Sequence, residues 1–207
     1  MDLENYYVIQ REALPEHTCD SIVDYALDIK QKVKHSCKAE TGGSAFVLND
    51  EDKKDFNKNV RNSNVVWINE PWIYRELWDY INQLNAQSKW NFKVDFAEPC
   101  QFTIYKKGQH YNWHIDGGIT NPEHKGKIRK LSMTILLSDP KNFEGGDLEF
   151  DLQNNKPHSD VNIQSTQGHL KKGSICMFPS FVYHRVTPVT KGTRYSLVVW
   201  VLGEPFV

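Results

Sequence analysis

The chain has 207 residues, of which 39% are hydrophobic and 25% are charged, and its formal net charge is -1 at pH 7. This length suits one folded domain with a substantial core, so we treat residues 1–207 as a single domain. The balanced charge gives no broad basic field, which argues against an obligate nucleic-acid partner. No stretch reaches the roughly 18 apolar residues that span a bilayer, so no membrane association is expected.

The N-terminus and the cysteines both indicate a cytoplasmic protein. The first residues are acidic and mixed, and they lack the basic and apolar regions of a signal peptide. The four cysteines, Cys19, Cys37, Cys100 and Cys176, are scattered and form no CxxC pair. This pattern is typical of reduced thiols, and it favours neither a disulfide framework nor a zinc knuckle.

Helix and loop signals dominate the first part of the chain. Residues 14–34 have apolar side chains at helical spacing, which predicts a helix. Residues 41–64 are polar and contain a mixed charge run, which indicates a loop, either a substrate lid or a solvated insertion. Val65–Ile68 is a predicted strand, and Trp72–Ala86 is a second amphipathic helix.

From about residue 93, short β-type runs alternate with Gly, Pro, Asn and Asp turns. Many short strands with regular turns are typical of a sandwich or barrel. The predicted fold is therefore α+β but mainly β, with helical support and a lid region in residues 1–92 and the β core in residues 93–207. The predicted strands are Gln101–Tyr105, Tyr111–Asp116, Leu131–Ser138, Asp147–Phe150, Ser174–Phe178 and Tyr195–Val201.

His114 and Asp116 form the first part of a candidate metal site. On a strand, side chains two residues apart point to the same side, so this imidazole and carboxylate would converge. His110 follows a glycine turn and is interpreted as a surface histidine. Among the other histidines, His184 stands out because it follows an apolar strand end and turn. Two imidazoles and one carboxylate make a facial set that suits Fe(II) or Mn(II) and leaves coordination positions open.

Arg194 is the candidate partner of an anionic co-substrate. It shares its predicted strand face with Ser196, Val198 and Trp200, and a lone arginine pointing into a barrel is costly unless it meets an anion. Its planar fork matches a carboxylate bidentately. A dicarboxylate that chelates the metal at one end would present its other carboxylate to Arg194 and the neighbouring Ser196, with the Tyr105 hydroxyl as a further donor.

These motifs together resemble the iron(II)- and 2-oxoglutarate-dependent dioxygenases, and within them the prolyl 4-hydroxylase-like branch. The resemblance runs from near Pro99 to Trp200, and the helix near the N-terminus and the segment Val60–Ser63 resemble the supporting region of the same branch. The segments that carry it are Tyr105–Asp116 (YKKGQHYNWHID), Phe143–Phe150 (FEGGDLEF), Lys172–Ser180, His184–Val186 and Lys191–Ser196.

The resemblance implies a double-stranded β-helix, or jelly roll, with N-terminal supporting helices. It implies His114, Asp116 and His184 as catalytic iron ligands, and it implies Arg194 as the partner of the 2-oxoglutarate C5 carboxylate, with help from Tyr105. The side chains that it implies beside the substrate are Tyr111 and Trp200.

The implied reaction couples oxidation of 2-oxoglutarate to succinate and CO2 with hydroxylation of an unactivated C–H bond. Its cofactors are Fe(II), 2-oxoglutarate and O2, with ascorbate as an optional stimulant. Branch membership implies a prolyl residue in a protein or peptide as the substrate. Collagen-type members often have lysine where this chain has Arg194, which weakens the case for a collagen-like substrate.

Several alternatives stay open at this point. The substrate could be a free amino acid or another small molecule instead of a peptide. A non-catalytic binding module on a jelly roll is disfavoured because the triad and Arg194 are intact, and nucleobase demethylation lacks a basic and aromatic nucleic-acid surface. The basic segment at residues 117–130, which contains Arg129, is either a solvated turn or a contact surface for an acidic part of the substrate. The oligomeric state is not predicted.

Overall fold

A computed structural model describes residues 6–32, 60–117, 124, 126–152 and 163–206. Within these ranges the chain forms two antiparallel sheets, one of eight strands and one of five, together with two α-helices. The predicted fold class, α+β but mainly β, is confirmed by this composition.

Each of the seven predicted strands, Val65–Ile68 included, overlaps an observed strand. In chain order the elements are β1 (Val8–Gln10), α1 (Glu16–Lys32), β2 (Arg61–Asn62), β3 (Asn64–Ile68), α2 (Pro71–Gln87), β4 (Phe96–Ala97), β5 (Cys100–Lys106), β6 (His110–His114), β7 (Ile128–Leu136), a 3-10 turn (Pro140–Asn142), β8 (Phe143–Gly145), β9 (Leu148–Asp151), β10 (Ile163–Ser165), β11 (Ile175–Pro179), β12 (Tyr183–Val186) and β13 (Val189–Gly203).

The strand order is that of a jelly roll rather than of a simple meander. The large sheet runs β1-β11-β7-β13-β5-β3, with β4 and β8 also paired to β13, and the small sheet runs β10-β9-β12-β6-β2. Strands distant in sequence are therefore neighbours, and the described pairs are all antiparallel. The predicted jelly roll is confirmed.

The two helices bury their apolar sides in one core with the large sheet. Leu77 on α2 and Cys19 on α1 are fully buried there, next to sheet residues such as Phe102. Buried positions on α2 recur three and four residues apart, which is the spacing that places them on one side of a helix. Pro71 occupies the first turn of α2, where its missing N–H has no intrahelical partner to lose.

The first helix starts later than its apolar spacing suggests. It begins at Glu16 instead of residue 14, because Leu14 precedes Pro15 and the residue before a proline disfavours helical backbone angles. The Leu14 amide donates to the Gly173 carbonyl (3.0 Å) in the sheet region. The predicted end at residues 33–34 lies outside the described residues.

The predicted loop at residues 41–64 is wrong at its C-terminal end. Arg61 and Asn62 form β2, which pairs with β6 opposite Tyr111 and His110, and Asn64 opens β3. The polar side chains of this segment give no strand signal in the sequence, and β2 forms through its backbone pairing with β6. Residues 41–59, to which the lid interpretation applies, lie outside the described residues. Strands β1, β2 and β3 also show that the sheets extend into the region before residue 93.

The side chains of strand β13 point alternately to the two sides of the large sheet. Leu197, Val199 and Val201 lie in the core shared with the helices, while the alternate residues Ser196, Val198 and Trp200 line an internal pocket. This alternation is what the two-residue repeat of a strand requires. The predicted common face of Arg194, Ser196, Val198 and Trp200 is thus confirmed.

Two expectations about the whole chain can be compared with the described residues. Cys19, Cys100 and Cys176 are buried free thiols, as predicted, and Cys37 lies outside the described part. Among the helices in the described ranges, none is long and apolar enough to cross a membrane.

Candidate active site

Three side chains converge in the pocket between the sheets, two from the neighbouring strands β6 and β12 and one from the segment that follows β6. His114 Nε2 lies 3.5 Å from Asp116 Oδ1, and His184 Nε2 lies 3.5 Å from Asp116 Oδ2. The candidate ligand atoms of all three residues lie within 4.8 Å of one another. Their side chains are 12%, 7% and 6% exposed in the order His114, Asp116 and His184, so a bound ion would be largely shielded from water.

The sheet register brings the two histidines together. His114 at the end of β6 is the direct cross-strand partner of His184 on β12. Opposed positions on antiparallel strands hold their side chains about 4.5–5.5 Å apart at Cβ, which is the spacing needed for two imidazoles to share an ion. The sequence pattern indicated both residues, and their pairing follows from a contact across 70 positions of sequence.

Asp116 reaches the site in a different way from the one predicted. Strand β6 ends at His114, so Asp116 lies beyond the strand and not on its face. The amides of Asp116 and Gly117 both donate to the Ser180 carbonyl, at 2.9 and 2.7 Å, instead of continuing the ladder. This bend, rather than strand alternation, brings the carboxylate to the histidines.

Backbone carbonyls fix the orientation of both imidazoles. His114 Nδ1 lies 2.7 Å from the Asn112 carbonyl, and His184 Nδ1 lies 2.9 Å from the Val182 carbonyl. A neutral imidazole that donates from Nδ1 presents its Nε2 lone pair to the centre of the site. Burial, reinforced by the nearby His114, lowers the pKa of His184 to about 4, which favours this neutral ligand form.

The carboxylate is held in its charged form. Burial by itself would raise the pKa of Asp116, but the facing His184 and His114 and the hydroxyl of Ser132 hold that pKa well below its usual range. Ser132 is fully buried, and its Oγ also lies 2.9 Å from the Ser180 Oγ. Two neutral imidazole nitrogens and one anionic oxygen fit Fe(II) or Mn(II), and the set contains no thiolate of the kind that structural zinc sites use.

Arg194 extends the same pocket away from the three candidate ligands. It is 2% exposed, and its Nη1 donates to the Ser196 Oγ at 3.0 Å. Tyr105 is its cross-strand partner, with the guanidinium carbon 5.7 Å from the tyrosine ring centroid. Burial lowers the pKa of Arg194 while Tyr105 and Asp147 raise it, and an arginine stays protonated at neutral pH in any case. Burial raises the pKa of Tyr105, so its hydroxyl is a donor.

Tyr111 and Trp200 line the pocket, but Arg129 does not. Tyr111 stacks on His114 with ring centroids 3.5 Å apart, and burial raises its pKa to about 12. Arg129 lies outside the pocket wall, with its guanidinium carbon 4.0 Å from the Trp200 ring centroid. Its Nε and Nη2 donate to the two carboxylate oxygens of Glu98 at 2.5 and 2.6 Å.

The basic segment is largely paired within the protein. Lys127 forms an ion pair with Asp95 at 2.5 Å, and Lys130 is buried with its Nζ 4.5 Å from the Phe206 ring centroid. With the Arg129–Glu98 pair, these contacts mean that the described part of the segment is neither a freely solvated turn nor a surface of unpaired cations. Lys125 lies outside the described residues.

Sequence reasoning missed several residues of the site. Gln101 lines the pocket. It precedes Tyr105 by four residues on the same strand, so the two side chains share a face, and this spacing is the signal in the sequence that indicates Gln101. Arg61 is 6% exposed, and its guanidinium carbon lies 4.4 Å from the Tyr111 ring centroid. Among the described residues, Arg61 Nη2 and Trp200 Nε1 are buried without a hydrogen-bond partner. No local pattern places Arg61 beside Tyr111, because the two strands that carry them are distant in sequence.

Comparison with known proteins gives one family match. A sequence model described as the 2OG-Fe(II) oxygenase superfamily matches residues 100–202. A PKHD-type hydroxylase from Teredinibacter turnerae is 34% identical over 104 residues, which cover 50% of this chain and 42% of that protein. The aligned part is thus less than half of the relative.

Two solved structures share the fold over nearly the whole chain. A Pseudomonas putida prolyl-4-hydroxylase aligns with a TM-score of 0.68 at 16% identity, covering 98% of this chain and 95% of that one. A Trichoplax adhaerens prolyl hydroxylase, solved with a peptide fragment of a hypoxia inducible factor oxygen degradation domain, aligns with a TM-score of 0.63 at 17% identity and covers 96% and 84%. At such identities the likeness concerns the fold alone.

Proposed function

We propose that this chain, which belongs to the 2OG-Fe(II) oxygenase superfamily, hydroxylates a prolyl residue of a protein or peptide and converts 2-oxoglutarate and O2 to succinate and CO2 in the same reaction. The observation that carries the proposal is the position of the His114, Asp116 and His184 ligand atoms within 4.8 Å of one another, in the pocket that Arg194 also lines. One site thus offers a metal-binding set and a buried cation for a dicarboxylate.

His114, Asp116 and His184 would hold the metal in this proposal. The Asn112 and Val182 carbonyls keep the histidine Nε2 atoms directed at the centre, and the Asp116 charge offsets part of the charge of a divalent cation. Fe(II) bound there supplies O2 activation coupled to oxidative decarboxylation of 2-oxoglutarate. No acid–base role is required of the three protein ligands.

Arg194, Ser196 and Tyr105 would bind the distal carboxylate of 2-oxoglutarate. The guanidinium offers two parallel donors, and a charge-assisted pair of this kind is strongest where water is excluded. Tyr111 and Trp200 would form the wall beside the substrate and keep water from it. Arg129 would contribute through Trp200, which its guanidinium covers, and its charge is already balanced by Glu98.

A prolyl residue in a polypeptide is the proposed substrate because two lines of support agree. The prolyl-hydroxylase structures share the fold across most of the chain, and one of them was solved with a bound peptide fragment. By the resemblance, Arg194 stands where collagen-type members often have lysine, which weakens the case for a collagen-like target. The buried free thiols fit the predicted cytoplasmic setting, in which iron stays ferrous and ascorbate is an optional stimulant.

The test begins with the Fe(II)-loaded protein under argon, titrated with 2-oxoglutarate while a weak visible absorption band is followed. O2 is then admitted with and without a library of proline-containing peptides, and succinate and peptide mass are measured. We expect a band, and we expect succinate that rises with particular peptides, which gain one oxygen atom on a prolyl residue. The Asp116→Ala variant is the control and should give neither.

The other outcomes decide between the alternatives. A band with succinate that rises only with free amino acids or other small molecules would reject the peptide substrate and support the small-molecule alternative. Absence of the band, with no succinate under any condition, would reject the dioxygenase proposal and leave a binding module.

A further inference from the structure

We propose that Gly146 is a positioning residue for Arg194, and that the lack of a side chain at residue 146 sets the affinity for the distal carboxylate of 2-oxoglutarate. This inference rests on the proposed function, because it concerns the co-substrate end of the same pocket. Gly146 lies between β8 and β9, on the side of Arg194 that faces a second cavity lined by both residues.

The space at Gly146 is already occupied by Arg194. A Cβ atom built on Gly146 would lie 2.9 Å from the Arg194 Cδ and 2.8 Å from the Val189 Cγ2. Both distances are shorter than the carbon–carbon separations of about 3.5–4.0 Å at which dispersion contacts are optimal. The Gly146 backbone therefore serves as the surface on which the middle of the arginine side chain rests.

Neither neighbour can move away without a change in its own contacts. Val189 is fully buried, Arg194 is 2% exposed, and the Cδ in question lies midway along the arginine side chain and not at its free end. On its other side, the guanidinium is fixed by the Ser196 Oγ at 3.0 Å and lies next to the Tyr105 ring. A side chain at residue 146 would displace the Cδ, and the guanidinium would move away from Ser196.

Such a displacement has a specific chemical consequence. The guanidinium can meet both oxygens of a carboxylate only if its fork is held in place, and charge-assisted pairs lose strength as the geometry departs from the ideal. Metal binding through His114, Asp116 and His184 involves none of these contacts. We therefore expect substitution of Gly146 to weaken binding of the dicarboxylate while metal affinity stays the same.

Gly168 offers a matched control for the backbone. Gly146 has a φ of +68° and Gly168 a φ of +69°, and a Cβ at Gly168 would meet nothing within 4 Å. Alanine at either position carries the same left-handed backbone strain, of about 1 kcal/mol. Only alanine at residue 146 also meets Val189 and Arg194, so a difference between the two variants excludes backbone strain as its cause.

The experiment measures binding of 2-oxoglutarate and of 2-oxopentanoate to Mn(II)-loaded protein by calorimetry. The second compound has the same carbon chain but lacks the distal carboxylate. For Gly146→Ala we expect the Kd for 2-oxoglutarate to rise about tenfold or more, with the Kd values for Mn(II) and 2-oxopentanoate unchanged. Gly168→Ala should bind all three like the wild type.

The outcomes separate this inference from the proposed function. If wild-type protein binds 2-oxoglutarate and Gly146→Ala binds it equally well, or weakens 2-oxopentanoate to the same extent, the positioning role is refuted while the proposed function stands. If wild-type protein itself does not bind 2-oxoglutarate, the proposed function is at fault.

A second variant covers the case in which Gly146→Ala does not fold. Shortening the neighbour in the double variant Gly146→Ala/Arg194→Ala removes the Cδ with which the new methyl group collides. Recovery of a folded, Mn(II)-binding protein in the double variant would support the contact with Arg194. Failure of the double variant to fold, with Arg194→Ala alone folded, would show that the collision with Val189 Cγ2 dominates, and it would overturn the role assigned to the Arg194 contact.

Discussion

Replacement of Ser132 by alanine should weaken metal binding without removing a metal ligand. The Ser132 hydroxyl donates to the Asp116 carboxylate, and its Oγ lies 2.9 Å from the Ser180 Oγ. Both serines are 0% exposed, so bulk water does not replace the lost donor. Asp116 would then keep its charge with one hydrogen bond fewer to orient it.

The size of the effect follows from the kind of hydrogen bond. A bond to a charged group contributes about 1.5–3 kcal/mol to stability, and loss of a partner that orients a metal ligand typically costs about 10–100-fold in metal affinity. We expect the Kd for Mn(II) to rise within that range in Ser132→Ala. Ser180→Ala should have a smaller effect, because the Ser180 hydroxyl contacts Ser132 while its backbone carbonyl still holds the Asp116 and Gly117 amides.

Competition between Mn(II) and a chromophoric chelator measures this Kd directly. Ser174→Ala is a matched control, because Ser174 is also 0% exposed but its Oγ accepts from the Glu12 and Lys171 amides, away from the pocket. The reasoning is refuted if Ser132→Ala binds Mn(II) as tightly as the wild type, or if Ser174→Ala weakens it equally.

Three further substitutions test other parts of the structure. Arg194→Ala should raise the KM for 2-oxoglutarate about 100-fold and leave the Kd for Mn(II) unchanged, because only the dicarboxylate loses a partner. The control is Arg75→Ala, at an exposed position, and an unchanged KM in Arg194→Ala would remove Arg194 from the co-substrate site. His114→Ala should abolish succinate formation with an unchanged far-UV circular dichroism spectrum, and turnover at the wild-type rate would contradict the ligand assignment. Leu77→Ala should lower the free energy of unfolding, measured in urea, by about 2–5 kcal/mol, because Leu77 is fully buried. Glu76 is exposed, so Glu76→Ala should change the same free energy by less than about 0.5 kcal/mol, and equal effects of the two substitutions would contradict the assigned core.

Features that depend on local periodicity could be predicted from the sequence. Helix α2 was found because its apolar residues recur at helical spacing, and the inward face of β13 was found because alternate residues of a strand share a side. Both signals are set by the backbone geometry of a single element. These signals do not depend on the other elements against which the helix or strand packs, so they can be recognised in a single sequence.

Features that depend on long-range pairing could not be predicted. Strand β2 has a polar sequence and exists through its pairing with β6, and Arg129 was interpreted without Glu98, the residue that balances its charge. Arg61 likewise lies over the ring of Tyr111 only because β2 and β6 are neighbours. In each case the deciding partner is distant in sequence, and no spacing within either segment identifies it.

The position of Asp116 shows how a correct residue can be reached through an incomplete argument. The HxD spacing suggested a shared strand face, yet the carboxylate is held beyond the strand by the Ser180 carbonyl. A Cβ on Gly117 would lie 3.3 Å from both the carbonyl carbon and the oxygen of Ser180, so the close approach of these two segments favours glycine after the aspartate. The spacing between His114 and Asp116 thus reflects the bend after β6, which must fit closely against the loop that contains Ser180.

The segment that holds Asp116 also leads to the third candidate ligand. Ser180 accepts the two amides that bend the chain at Asp116, Val182 supplies the carbonyl that orients His184, and His184 follows two residues later on β12. The turn between β11 and β12 therefore sets the position of the carboxylate and of one imidazole together. A change in the length of this turn should disturb both ligands at once, whereas a change in β6 would displace His114 first. The geometry of the site consequently depends on two things: the register of β6 and β12, which pairs the histidines, and the backbone contact of two loops, which places the carboxylate.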